Sequence, residues 1–512
     1  MRRKALLVAI VVVGSLTVPL SATAAIDEVN TTKLRQAVTV SGILQHERAL
    51  QRIANRNDGT RAAGTPGYDA SAAYVKEQLT KAGYKVTEQP FEFEFYQEVT
   101  PASLSQVSPA PQDYDTATFT YSGSGDVVGG IVAATNTVVP ATPTPSSAAG
   151  CAATDFVPAS ATEPQVALIQ RGTCTFASKA ANAIAAGYDA VIIFNEGNPG
   201  RTDLVEGTLG ATVSVPVVGL SYADGAALYA SAQAGSTTVA VSTEVIAETR
   251  TTVNIIADTR KGNKEKVIVV GAHLDSVLAG PGINDNGSGT ATILETAIQM
   301  SKLNIQPRQQ VRFAFWGGEE LGLLGSENYV ATASDADLAK IYANLNFDML
   351  ASPNYVRFVY DGDGSADPGA PAGPPGSAQI EAVFTQYFAA QGLVTEPTAF
   401  DGRSDYGPFI AAGIPAGGLF SGAEGLKTPE EAVAYGGTAG VAYDACYHQA
   451  CDSITNLNTK AINELGDAAV HAIMSLARSQ AGFFEDGSRM APRSTQSVPD
   501  TVFDYKGSSL VR

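Results

Sequence analysis

Seven side chains in this sequence have types and spacings suited to one kind of chemistry: His273, Asp275, Asp285, Glu319, Glu320, Asp348 and His448. Imidazoles and carboxylates are the usual hard-to-borderline ligands of Zn²⁺, and an acid beside a ligand can shuttle a proton. Singly, each has an ordinary explanation. His273 suits a structural histidine and Asp285 a polar turn. Glu319-Glu320 suits the first turn of a helix, and Asp348 a helix cap. Jointly they point to metal-assisted hydrolysis. His273, Asp285, Glu320, Asp348 and His448 supply two imidazoles and three carboxylates. That set neutralises a pair of Zn²⁺ ions once a bridging hydroxide is added. Two metals about 3.5–4 Å apart need a shared ligand. Asp285, in the flexible turn Gly282-Ile-Asn-Asp-Asn-Gly-Ser-Gly289, is the natural bridge. Asp275, two positions after His273, falls on the same side of a strand and is suited to orient its neighbours.

The elements that must position these groups are legible around them. Val267–Val270 is an apolar run leading to His273, Val311–Trp316 leads to Glu319-Glu320, and Ala343–Phe347 leads to Asp348. Helical patterns over Gly289–Leu303 and Leu321–Val330 alternate with these strands. The reading is an α/β fold, a mostly parallel sheet flanked by helices, with its polar clusters at the strands' C-terminal ends. Further helices are expected over Ile43–Asn57, after Asp69 as cap, over Ala378–Gln391 and over Ala461–Ser479. A strand is expected over Val86–Tyr96. His46, among Gln, Glu and Arg, reads as a surface histidine, and His471 as structural or surface.

At 512 residues the chain has room for two or three domains. Lys+Arg 33 against Asp+Glu 51 gives a net charge of −18, which argues against nucleic acid or an anionic membrane as partner. It accords with a cationic ligand such as a peptide amino terminus. Arg2, Arg3 and Lys4 precede an apolar run, and Ala22-Thr-Ala24 fits a cleavage site, so residues 1–25 read as a secretory signal and the protein as extracellular. No later segment reads as a membrane span. The four cysteines, Cys151, Cys174, Cys446 and Cys451, then suit two disulfides; three connectivities exist, and proximity favours the local pairs. The acids of Asp361-Gly-Asp363-Gly-Ser365 offer a weak calcium reading, beside that of a plain solvated loop, since the EF-hand glutamate is missing.

From about Val99 the chain turns rich in Thr, Ser, Ala and Pro, with its least structured point at Pro140–Pro145. The text Arg171-Gly-Thr-Cys-Thr-Phe176, Lys179-Ala180, Asn182-Ala183, Ala186-Gly187 and Phe194-Asn195 resembles the protease-associated domain. The resemblance implies a small, non-catalytic α+β insert over 99–247.

The remainder resembles the secreted di-zinc aminopeptidases, within the family that also holds glutamate carboxypeptidases and transferrin-receptor ectodomains. The matching text is Gly271-Ala-His-Leu-Asp-Ser276, Gly282–Gly289, Gly318-Glu-Glu-Leu-Gly322, Asn346-Phe-Asp-Met349, Gly402-Arg-Ser-Asp-Tyr406 and Cys446-Tyr-His-Gln-Ala-Cys-Asp452. It implies a zinc-peptidase, phosphorylase/hydrolase-like domain over 31–98 and 248–485, followed by a tail, 486–512. By that resemblance His273 and Asp348 bind one zinc, Glu320 and His448 the other, and Asp285 bridges. Glu319 is the general base, Tyr447 steadies the oxyanion, and Asp275 supports the ligands. Arg403 stands where a substrate-binding arginine is expected. The implied activity is removal of N-terminal residues, preferentially large and apolar, from peptides; a monomer is the default expectation. The alternatives are a carboxypeptidase of the same family, which needs a cationic pocket, and a binding ectodomain, whose relatives lack ligands.

Overall fold

The computed structural model describes residues 29–366 and 372–480. The expected signal sequence and C-terminal tail lie outside the described residues. The central strands, Asn263–His273, Gln309–Trp316 and Ile341–Phe347, are parallel neighbours, and Ala416–Phe420 continues the sheet in parallel beyond Ile341–Phe347. Val267, Ile268, Val269 and Val270 are all buried because both faces of the sheet are covered. Ile268 and Val270 face a core completed by helices Gly289–Lys302, Ser377–Ala390 and Thr459–Arg478. Val267 and Val269 face the opposite layer, where Trp316, Tyr329 and Phe409 pack together. The N-terminal helices Val40–Ala54 and Pro66–Lys81 join the first layer.

The sequence-based expectations need five corrections. The helix after the Gly64–Gly67 loop is capped by Thr65, whose side chain accepts from Tyr68 N–H, and Asp69 sits in its first turn. The strand begun at Lys85 does not stop at Tyr96 but runs to Ser108, paired antiparallel with Thr238–Asp258. This ribbon crosses both edges of the expected insert, because strand pairing with a distant segment overrides local composition. The helix after Glu320 starts at Leu324, since Gly322 (φ 103°) and Leu323 (φ 61°) are left-handed. No helix follows Asp348 directly; among the described residues the next begins at Ser377. Finally, His46 is buried: its Nδ1 lies 2.7 Å from the Tyr74 hydroxyl and its Nε2 3.3 Å from Glu295 Oε2.

In the insert, strands Gly125–Ala133, Gln165–Gln170, Ala190–Phe194 and Val217–Leu220 run parallel in that order. Helices Phe176–Ala185 and Tyr222–Ala234 cover opposite faces. Gly125–Ala133 pairs with the distal part of Thr238–Asp258, so hydrogen bonding is continuous from the main sheet into the insert. Buried Lys179 donates to Ala149 O (2.5 Å), next to the Cys151–Cys174 disulfide. No described helix is long and apolar enough to cross a membrane.

Candidate active site

The expected cluster converges at the C-terminal edge of the parallel strands. His273 is the last residue of its strand, and its carbonyl accepts from Thr290 Oγ1 (2.7 Å), tying strand end to helix start. Its Nε2 stands 3.2 Å from Asp285 Oδ1 and 3.3 Å from Asp348 Oδ1. The second imidazole, His448 Nε2, stands 3.3 Å from Asp285 Oδ2 and 3.0 Å from Glu320 Oε2. Asp285 thus turns one oxygen to each histidine. The two disulfides are the local pairs, Cys151–Cys174 and Cys446–Cys451, and the second closes the short loop that carries Tyr447 and His448.

Asp285 is held by its backbone. Asp452 accepts from Asn284 N–H (2.8 Å) on one oxygen and from Asp285 N–H (2.9 Å) on the other. Asn284 donates to Asp444 Oδ2 (2.6 Å) and Ser352 Oγ (3.1 Å), while Asn286 donates to Phe347 O (2.9 Å) and accepts from Met349 N–H (3.1 Å). Gly289 is obligatory, since a Cβ there would collide with Phe347 O and the Asn286 side chain.

Gly318 (φ 73°) turns the chain beyond the strand so that Glu319 and Glu320 enter the site. Asp275 Oδ1 accepts from Glu319 N–H (3.2 Å) and Oδ2 from Glu320 N–H (3.3 Å), and Oδ1 is 3.6 Å from His273 Nδ1. Glu319 Oε2 lies 3.8 Å from His273 Nε2, farther than Asp285 or Asp348. Ser404 donates to Asp348 Oδ2 (2.5 Å). Tyr447 stacks on His448 with ring centroids 3.8 Å apart, and its hydroxyl accepts from Arg403 Nη2 (3.2 Å), whose Nη1 pairs with Glu424 (2.7 Å).

The electrostatics register an excess of buried acid. Burial, and secondarily Asp348, Asp405 and Glu320, push the Glu319 carboxyl well up. Burial and the Asp285 charge raise Glu320 to about 7. Burial opposes charge on His448, but Asp285 and Glu320 lift it to about 10; His273 is raised well above its ordinary value by Glu319 and Asp348 against the same penalty. Asp285 is held well below the carboxylate range because its contacts with both histidines outweigh burial. Burial, Asp285 and Glu320 push Tyr447 far up, so the phenol keeps its proton.

Among the described residues, His273 with Glu319 and Asp348, and His273 with Asp285 and Glu320, offer ligand atoms within 4.8 Å of one another. Asp361, Asp363 and Glu381 form a further acidic group, but Asp361 accepts from Ser365 and Ala366 N–H, and Glu381 from Gly362 and Asp363 N–H. Sequence reasoning missed Asp452 and Ser404 as braces of the site, although both stand within its matched motifs. It also gave Arg61 no role.

A parallel α/β sheet gathering these acids and imidazoles at its carboxyl edge defines a metallopeptidase. Residues 254–473 match the model of peptidase family M28, and residues 134–228 match the PA domain. An aminopeptidase of Pseudomonas aeruginosa is 47% identical over 442 residues, 85% of this chain and 80% of that protein. A probable leucine aminopeptidase 2 of Aspergillus fumigatus is 39% identical over 87% of this chain and 85% of its own length. The crystal structure of a zinc aminopeptidase from Bacillus subtilis superposes with a TM-score of 0.61 at 26% identity, covering 87% of this chain and 97% of that one. The chain belongs to peptidase family M28 and is a metallo-aminopeptidase with a PA domain inserted in its sequence.

Proposed function

We propose that this enzyme is secreted and removes single residues, preferentially large and apolar, from peptide N-termini with two zinc ions. His273 and Asp348 would hold one ion, Glu320 and His448 the other, and Asp285 both. The observation that carries the reading is Asp285, whose two oxygens stand 3.2 and 3.3 Å from two different imidazoles. The donor set fits: Glu320 Oε1 and Asp348 Oδ1 are buried without a hydrogen-bond partner among the described residues, as metal-facing oxygens should be. The leader-like residues 1–25 and the two disulfides support secretion. We assign residues 31–98 and 248–485 to the peptidase domain and 99–247 to the insert, with the ribbon shared between them.

When bound, the ions would supply Lewis acidity, lowering the pKa of water and polarising the peptide carbonyl. Glu319 takes the proton of the attacking water and returns it to the leaving amine. Asp275 aims Glu319 through the backbone hydrogen bond it accepts. The Tyr447 hydroxyl donates to the carbonyl oxygen as charge builds there. Arg403 donates to that phenol and lines the cleft, where it could hold substrate. The cleft's acids, Asp285, Glu319, Glu320, Asp348 and Asp401, suit a substrate ammonium group, while Met349, Tyr360, Phe420 and Ala423 suit an apolar side chain. The name of the Aspergillus fumigatus relative supports the same preference.

Turnover of aminoacyl-anilides, with and without chelator and with the α-amino group free or acetylated, tests the reading. Chelation and acetylation should each abolish hydrolysis, and leucyl should exceed glycyl and glutamyl substrates. Hydrolysis of the acetylated substrate at an undiminished rate would overturn it.

A further inference from the structure

Arg61 lies in the connection between helices Val40–Ala54 and Pro66–Lys81 and is completely buried. Among the described residues no carboxylate comes within ion-pair distance of it. Its guanidinium is spent on main-chain oxygens: Nε donates to Pro281 O (2.8 Å), Nη2 to Gly282 O (2.5 Å) and Nη1 to Leu274 O. All three carbonyls belong to the stretch that joins His273 to Asp285. That stretch has no strand or helix before Ile283. Nothing in its own secondary structure therefore fixes the distance between its two ends.

Neighbouring contacts complete the tether. Arg61 N–H donates to Ser276 Oγ (2.9 Å), Thr60 Oγ1 to Val277 O (2.8 Å), and Ser276 Oγ to Gly280 O (2.9 Å). Gly282 (φ 58°) admits the arrangement, because a Cβ there would collide with the Asp285 carbonyl and Ser276 and crowd Arg61 Nη2. A buried guanidinium is costly unless something repays its desolvation. Here its three carbonyl partners satisfy the fork, and the acids around it, Glu47, Asp275, Asp452 and Asp285, offset part of the penalty. A planar, five-donor fork holds several acceptors in one fixed relation, which a lysine cannot do.

We propose that Arg61 is a positioning residue of the metal centre: it joins the end of the His273 strand to the start of the Asp285 turn and so fixes the Asp285 carboxylate between the two imidazoles, where it would serve both ions. The inference rests on the two-metal reading above. Arg61→Lys keeps the charge and loses the fork; Arg61→Met loses both.

The test titrates zinc into the metal-free full chain and records magnetic coupling in the dicobalt form, both independent of turnover. Circular dichroism and the thermal midpoint of the metal-free protein monitor folding. Arg61→Lys should bind its second ion at least tenfold more weakly than the wild type, with weakened coupling and a fall in kcat larger than any change in KM. Arg61→Met should be worse; if it does not fold, Arg61→Lys carries the test. Wild-type affinity and coupling in Arg61→Lys, or a lowered thermal midpoint alone, would overturn the assignment. A wild type that holds only one ion would overturn the two-metal reading instead, so the two failures are distinguishable.

Discussion

Glu319 and Glu320 are adjacent and their side chains are both buried, yet they are assigned different work, so exchanging each for glutamine separates the roles. Glu319→Gln keeps the shape of the side chain and removes the proton acceptor. General acid–base catalysis contributes roughly 10²–10⁴ in rate, or about 2.7–5.5 kcal/mol, so kcat should fall by that factor. Metal content should not change, because Glu319 Oε2 lies 3.8 Å from the nearer imidazole nitrogen and other carboxylates stand closer. Glu320→Gln removes a charge whose oxygen is 3.0 Å from His448 Nε2. A unit charge pair about 4 Å apart at an effective dielectric of about 20 is worth about 4 kcal/mol, or roughly three decades in affinity. That variant should retain one ion per chain after dialysis against dilute zinc. The assay is kcat on leucyl anilide beside metal per chain by emission spectrometry. Loss of an ion from Glu319→Gln with both ions kept by Glu320→Gln would refute the assignment.

Replacing Cys446 and Cys451 together by serine opens a loop closed over 5 residues, a cross-link worth about 2 kcal/mol of chain entropy. His448, whose side chain is 40% exposed, has little packing to replace it, so zinc titration should show a weakened second ion. Tyr447→Phe removes one oxyanion donor and should lower kcat by about 10²–10³ with little change in KM, measured on the same anilide. His471 is held down to about 4 by burial and secondarily by Arg35, below its ordinary 6.5. The unfolded chain therefore binds a proton more readily between these values, and stability falls as pH drops from about 6.5 to about 4. In denaturant unfolding, His471→Gln should gain relative to wild type across that window, by on the order of 3 kcal/mol at its acid end; a pH-independent difference would contradict the burial argument.

The parallel strands were readable because burial on both faces leaves an unbroken apolar run, as at Val267–Val270. The ligands were readable because rare residue types stand where such runs end. The ribbon beyond Val99 was not: its strand character comes from pairing with Thr238–Asp258, more than a hundred residues away in sequence. His46 misled because its immediate neighbours in sequence are polar, whereas the helix Gly289–Lys302 that covers it brings Glu295 against the ring. Arg61 was invisible for a related reason, since its partners are main-chain oxygens, which carry no side-chain signature.

The acids of the site differ in how their oxygens are engaged. Asp275 accepts a backbone N–H on each oxygen, and so does Asp452. A carboxylate engaged in this way on both oxygens fixes the backbone around it, and its effect is transmitted through the residues it holds. Asp348 is different: Ser404 occupies Oδ2, while Oδ1 makes no hydrogen bond and stands 3.3 Å from His273 Nε2. Glu320 likewise meets His448 through Oε2 and leaves Oε1 free of hydrogen bonds. An unpaired buried carboxylate oxygen costs several kcal/mol unless a cation meets it. Two such oxygens at this edge of the sheet therefore argue for a cation there on grounds independent of any motif.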